Sequence, residues 1–178
     1  VQGNASWQDQ WYLRSGNLQK SWDLLRTRGI AAGGDSSVVV AVIDTGVDYT
    51  HEDLKDNIWV NTKEIPGNGI DDDGNGYIDD VYGVDLETGR DSGMDDNGHG
   101  THVAGIIAAS NNHIGVVGLA YNVKLMPIKA GMASGFFNQS QIAKGILYAY
   151  NNGADVINMS FGGSASTLAV QDALETAY

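Results

Sequence analysis

The segment Val38 to Ile43 reads VVVAVI, a continuous apolar run rich in β-branched residues, with Gly33-Gly34 before it and Thr45-Gly46 after it. Such a run predicts a central strand buried on both faces. Upstream, Leu18, Trp22 and Leu25, with Leu24 as a weaker member, recur at helical spacing and predict a short amphipathic helix. From Gly100 to Ser110 small and apolar residues run as GTHVAGIIAAS, which predicts a buried helix weakened by Gly105. Val123 to Lys129 reads as a second strand, and Ser140 to Asn151 as an amphipathic helix with Ile142, Ile146, Leu147 and Tyr150 turned inward. Asn152-Gly153 closes that helix, Asp155 to Ser160 supplies a further strand, and Thr167 to Ala177 a last helix.

Strands alternating with helices predict an α/β fold, a parallel β-sheet with helices on both faces. The 178 residues suit one domain, residues 1–178, with a sizeable core. In open parallel sheets ligands bind at the carboxyl ends of strands, which places Asp44, directly after the first apolar run, at the position of greatest interest.

Charge and composition narrow the chemistry. Lys plus Arg is 10 against Asp plus Glu at 22, a net of −12. Nucleic acid and anionic membranes would be repelled. An affinity for metal cations and plain solubility both account for the excess. The chain has no cysteine, which removes disulfides, thiolate metal sites and a cysteine nucleophile. No stretch approaches the roughly 18 apolar residues of a membrane span. Its start, VQGNASWQDQ, has no signal-peptide plan, so the expectation is a chain that is either cytosolic or already processed.

Two motifs carry candidate catalysis. Asp44 sits in AVIDTGVDYTHEDL, and His99 in DDNGHGTHVAGIIA at the start of the predicted buried helix. An aspartate able to orient a histidine makes up two parts of a nucleophile-activating triad, whereas each residue alone reads equally as a turn or structural residue. A third motif, VINMSFGG, follows. Taken in this order, the three resemble the subtilisin family of serine peptidases from about Leu18 onward. The resemblance implies that Asp44 supports the imidazole of His99, and that His99 takes a proton from a serine and returns it to the leaving amine. His102 is then structural, and His51 and His113 are ordinary polar residues.

Ser160 is the best-placed serine in the strand-helix pattern. The resemblance nevertheless implies that Ser160, Phe161, Gly162 and Gly163 edge the pocket for the substrate residue before the cleaved bond. It implies likewise that Ser134, Gly135 and Phe136 form a strand pairing with an extended peptide, where an ordinary surface loop is the plainer reading. The family takes its nucleophile from a GTSxA box and an oxyanion donor from an earlier asparagine, and no GTS occurs in these residues. The expectation is therefore a subtilisin-like fold that is incomplete in this chain and not competent alone, with serine and asparagine supplied by a second chain or C-terminal part. The resemblance also implies a protein or peptide substrate, a secreted or cell-surface setting, and a zymogen whose inhibitory propeptide preceded Val1. The alternative is a non-catalytic, calcium-bound protein-binding module on the same scaffold.

The irregular region from Thr62 to Asp80 holds the motif Asp71-Asp72-Asp73-Gly74-Asn75-Gly76. Oxygens at alternate positions and a turn-forming glycine open a calcium loop. Asp71, Asp73, Asn75 and the Tyr77 carbonyl are the candidate Ca2+ ligands. The twelfth position is Tyr82, so Asp80 would serve as closing carboxylate. An acid-rich solvated turn is the other reading, and mutual repulsion of the carboxylates favours the cation. A second Ca2+ site is implied by the resemblance, with Asp53, the Asn112 side chain and the carbonyls of Ser110, Ile114 and Val116. Asn4, Asp9 and Gln10 are candidates for an N-terminal ligand.

Overall fold

In the computed structural model, which describes residues 9–89, 91–163 and 167–178, four parallel strands form one sheet. They are β1 (Val39–Asp44), β2 (Val84–Asp85), β3 (Lys124–Lys129) and β4 (Val156–Asn158), in the order β2-β3-β1-β4. β1 lies between two neighbours, pairing Val39 to Asp44 with Lys124 to Lys129 on one side and Val40 to Val42 with Val156 to Asn158 on the other. The α/β fold with a parallel sheet follows the reading of the sequence.

The apolar run of β1 serves two cores because alternate side chains leave opposite faces of the pleat. Val40 and Val42 pack with Leu125, Ala104 and Ala108 of helix α3 (His99–Ala108). Ala41 and Ile43 pack on the other face with Met126, Ile128 and Ile146 of helix α4 (Gln139–Asn151) and with Val170 and Ala173 of helix α5 (Leu168–Ala177). Burial on both faces is why the run lacks polar alternation. A smaller cluster of Leu13, Trp22, Ala32 and Val117 holds the helices α1 (Trp11–Ser15) and α2 (Leu18–Thr27) against the body.

Local chemistry sets the boundaries of α4. Asn138 caps it, its side chain accepting from the Ser140 N–H, and Gly153 at φ +76° provides the left-handed residue after the last turn. The predicted inward set needs one correction. Ile142 and Ile146 are buried, whereas Leu147 and Tyr150 are exposed, and Tyr148 and Ala149 take the inward positions. Tyr148 is drawn inward by a polar anchor, its hydroxyl donating to Asp80 at 2.5 Å. Asp80 is wholly buried and also accepts from the side chains of Asn75 and Asn61. This bond fastens the irregular 62–80 region to α4. Burial pushes the Asp80 carboxyl up, opposed by these three donors. No helix is long and apolar enough to cross a membrane among the described residues.

Because it removes a hydrogen bond to a buried carboxylate, Tyr148→Phe is expected to lower unfolding free energy by about 2 kcal/mol. Tyr150→Phe, on the exposed face, is expected to change it by less than about 0.5 kcal/mol. Urea denaturation of the two variants checks the contrast.

Candidate active site and cation sites

Asp44 is the last residue of β1 and His99 the first of α3, and the sheet brings them together. His99 Nδ1 lies 2.7 Å from Asp44 Oδ1, with the aspartate wholly buried and the imidazole about half exposed. An ionised carboxylate only accepts, so the proton of this bond sits on Nδ1 and Nε2 keeps a free lone pair. Asp44 Oδ1 also accepts from the Thr45 N–H at 2.7 Å, and its backbone carbonyl accepts from Ala130 and Gly131. Asp44 Oδ2 is buried with no partner among the described residues. The aspartate is thus fixed by the strand end, and the histidine is aligned by the aspartate.

Gly100 explains how the two elements come so close. A Cβ there would lie 2.0 Å from the Gly46 carbonyl oxygen and 3.0 Å from the Asp44 Cβ. Only a residue without a side chain lets the first turn of α3 rest on the end of β1.

The same strand ends lead into a groove. Asn97 Nδ2 donates to the Ala133 carbonyl at 2.9 Å, joining the turn before His99 to the segment 131–137. That segment is not the strand expected over Ser134, Gly135 and Phe136. It is a tight turn, with Gly135 at φ +80° and a single antiparallel bridge between Gly131 and Phe137. Beyond it lies a cavity of about 830 Å³ lined by Gly135, Phe136, Phe161, Gly162 and Gly163, with Met159 among the apolar walls. Phe137 and Phe161, both in its lining, stack directly on each other with ring centroids 4.4 Å apart. Ser134 and Ser160 are exposed outside that lining, and the Ser160 hydroxyl accepts from Asn158 Nδ2 at 3.0 Å. Among the described residues no hydroxyl is hydrogen-bonded to His99.

The 62–80 region folds around a residue that the sequence pattern does not reveal. Glu64 is buried, accepting from the Asp72 and Asp73 N–H groups on one oxygen and from Asp79 N–H on the other. Carboxylate oxygens of Glu64, Asp71 and Asp73 lie within 4.8 Å of one another. Three acids this close, in a loop already turned by the Asn75 and Gly76 N–H groups donating to the Asp71 carboxylate, fit a hard oxygen-seeking cation. Tyr77 N–H donates to the Asn75 side chain, whereas Asp80 faces Tyr148. Glu64 lies seven residues before the motif, so only the folded loop connects it.

The second set also converges. The Asp53 carbonyl accepts from Ser110 N–H and its Oδ2 from Val116 N–H at 3.0 Å, while the Asn112 side chain bonds the same carboxylate and also accepts from Ile114 N–H. Among the described residues Asp53 Oδ1 is buried and unpartnered, as is Asn111 Oδ1 in the same loop. Burial pushes the Asp53 carboxyl up, against the Val116 N–H and the Asn112 side chain. An orphaned, desolvated carboxylate oxygen fits a bound cation. Gln10 reaches this loop, bonding both the N–H and the carbonyl of Val117; Asp9 is exposed and Asn4 lies outside the described residues.

Comparison with known proteins gives the family of the chain. The model of the subtilase family, Peptidase S8, matches residues 35–177, and the chain belongs to that family. It is 42% identical over 154 residues to subtilisin-like protease 1 of Plasmodium falciparum, covering 85% of this chain and 22% of that protein. It is 39% identical over 143 residues to subtilisin DY of Bacillus licheniformis, covering 80% and 43%. A solved protease of Pseudoalteromonas arctica PAMC 21717 superposes with a TM-score of 0.71 at 31% identity, over 98% of this chain and 55% of that one. The chain therefore spans less than half the length of the two curated relatives.

Gly100→Ala is expected to push α3 off the β1 end, lengthen the Asp44–His99 contact and cost about 1–3 kcal/mol of stability. Nitrogen-detected NMR of His99 checks the first effect and thermal unfolding the second. Unchanged His99 resonances would contradict the packing argument.

Proposed function

We propose that this chain carries the aspartate and histidine of a subtilisin-type serine endopeptidase that hydrolyses peptide bonds in proteins. The observation that supports it most directly is the 2.7 Å Asp44–His99 bond at the end of the central strand, with the aspartate buried and the imidazole half exposed. Asp44 holds the tautomer and stabilises the imidazolium; His99 Nε2 accepts the serine proton and later delivers it to the leaving amine. The serine attacks the carbonyl, the amine departs with that proton, and water releases the acyl group in a second, equivalent cycle.

In this proposal the nucleophilic serine and the oxyanion asparagine come from a second polypeptide or a C-terminal part. Ser134, Gly135 and Phe136 flank the substrate backbone on one side, and Ser160, Phe161, Gly162 and Gly163 edge the pocket on the other. The glycines leave room for close backbone approach, and Phe161 supplies an apolar wall. The enzyme is secreted or cell-surface and is made as a zymogen with an inhibitory propeptide. A second reading, a calcium-bound protein-binding module without catalysis, is favoured by the lack of a hydroxyl on His99 among the described residues.

Calcium belongs to the same proposal. Asp71, Asp73, Asn75 and the Tyr77 carbonyl would hold one ion together with Glu64, with Asp80 closing the loop from the buried side. Asp53, the Asn112 side chain and the carbonyls of Ser110, Ile114 and Val116 would hold another. The ion would neutralise crowded carboxylates and tie these loops to the body, stabilising the folded state by mass action.

Two measurements test these parts. Intact-mass spectrometry after fluorophosphonate treatment of the protein with every copurifying polypeptide is expected to show one adduct, lost in His99→Ala. A protein that takes no adduct and cleaves no peptide would leave the binding-module reading. Chelation is expected to lower the unfolding temperature by several degrees, corresponding to about 2.7 kcal/mol at a hundredfold excess of ion over its dissociation constant. Calcium, and not magnesium, should restore it. Asp53→Asn and Asp73→Asn should each remove part of the response, and a chelator-insensitive transition would contradict both sites.

A further inference from the structure

Asp95 belongs neither to the groove nor to either cation set, yet its side chain joins the two catalytic motifs. Oδ1 accepts from Thr45 Oγ1 at 2.8 Å and from the Asn97 and Gly98 N–H groups at 3.0 Å each. Oδ2 accepts from the Thr101 N–H at 3.0 Å and from Thr101 Oγ1 at 2.6 Å. Thr45 follows Asp44 directly, and Thr101 stands two residues beyond His99. A single carboxylate therefore ties the end of β1 to the first turn of α3.

Three of these donors are backbone N–H groups at a helix start, which any capping aspartate would satisfy. This cap is needed because the residue before α3 is Gly98, which has no side chain and adopts φ +101°. The hydroxyl of Thr45 is different. It comes from the other motif, donates to Asp95, and accepts from the Gly100 N–H at 3.0 Å. Thr101 Oγ1 likewise accepts from the Asp48 N–H at 2.9 Å while donating to Asp95. A second tie runs beside it. The buried Lys129, at the end of β3, donates to the Thr45 carbonyl, the Gly131 carbonyl and the Asp96 carboxylate.

We infer that Asp95 is a positioning residue for the Asp44–His99 pair: its ionised carboxylate locks residue 45 to residues 97, 98 and 101, and so sets the aspartate–histidine hydrogen bond before substrate arrives. Five donors converge on two oxygens, an arrangement that only the ionised acid accepts in full. Burial opposes ionisation, and the donors from Thr101, Gly98 and Asn97 outweigh it, holding the carboxyl down to about 2. The clamp is therefore charged throughout the range in which a histidine base works. Preorganisation matters because a misplaced general base loses rate without losing substrate affinity. The inference rests on the reading of Asp44 and His99 as the catalytic pair.

The test uses the intact protein with all its copurifying polypeptides, and compares Asp95→Asn, Thr45→Val and His99→Ala. Thr45→Val removes the cross-link and the acceptor of the Gly100 N–H but leaves Asp95 on the Asn97, Gly98 and Thr101 N–H groups, so it remains informative where Asp95→Asn fails to fold. Three properties are measured: the low-field proton resonance of His99 Nδ1, kcat and KM on a peptide substrate, and thermal unfolding. At temperatures where the protein is folded, Thr45→Val is expected to shift or broaden the low-field resonance and to lower kcat about tenfold or more, with KM within about twofold. Asp95→Asn is expected to do the same more strongly. A lower unfolding temperature with kcat and the resonance unmoved in Thr45→Val would reduce Asp95 to a helix cap and overturn the inference. Full activity in His99→Ala would instead overturn the catalytic reading, while the resonance still decides whether Asp95 sets the geometry.

Discussion

The molecule depends on a strand that is buried on both faces and ends in a charge. Val40 and Val42 face one core and Ala41 and Ile43 the other, so a one-residue shift of β1 would put each set into the core that packs around the other. The strand therefore delivers Asp44 to a fixed point at its carboxyl end, where the Thr45, Ala130 and Gly131 N–H groups hold it by side chain and carbonyl. A buried carboxylate is costly to leave unpaired. The His99 ring, brought in over the side-chain-free Gly100, supplies the partner. The Asp44–His99 geometry is a consequence of core packing, and a change far inside the sheet would be felt at the imidazole.

The loops beyond the strand ends follow a second rule, in which buried acids gather donors or call for a cation. Asp95 gathers five protein donors and Asp80 three, and both lie where a loop must be fixed to a helix. Asp53 keeps one oxygen buried without a partner, and Glu64, Asp71 and Asp73 crowd their oxygens together. The net charge of −12 is thus not spread evenly as a solubilising coat; part of it is concentrated in these sites.

Most of the scaffold was legible because its elements are long and periodic. VVVAVI, GTHVAGIIAAS and SQIAKGILYAYN correspond to β1, α3 and α4 within a residue or two at most boundaries. The two-residue β2 has no period to read, and it exists because β3 pairs with it and Gly83 packs against the Pro127 carbonyl, where a Cβ would sit 1.8 Å away. Helix α1, of five residues, is also short and is held through Leu13 by the Trp22 cluster. Helical spacing alone puts Leu147 and Tyr150 in the core, whereas the Asp80 carboxylate draws in Tyr148. In the site, Asp44 and His99 stood out through their motifs. Glu64 and the cross-link through Asp95 did not, because each is defined by distance in space between segments that the chain order separates.

The account stands on His99 acting as a base toward a serine, oriented by Asp44. The most direct measurement is the pH dependence of kcat/KM for peptide hydrolysis by the intact protein, set beside the titration of the His99 imidazole followed by NMR in the same preparation. The account predicts that the acidic limb of the rate profile and the His99 titration share one midpoint, since only the neutral imidazole accepts the proton. Hydrolysis that stays constant while His99 becomes protonated would contradict it.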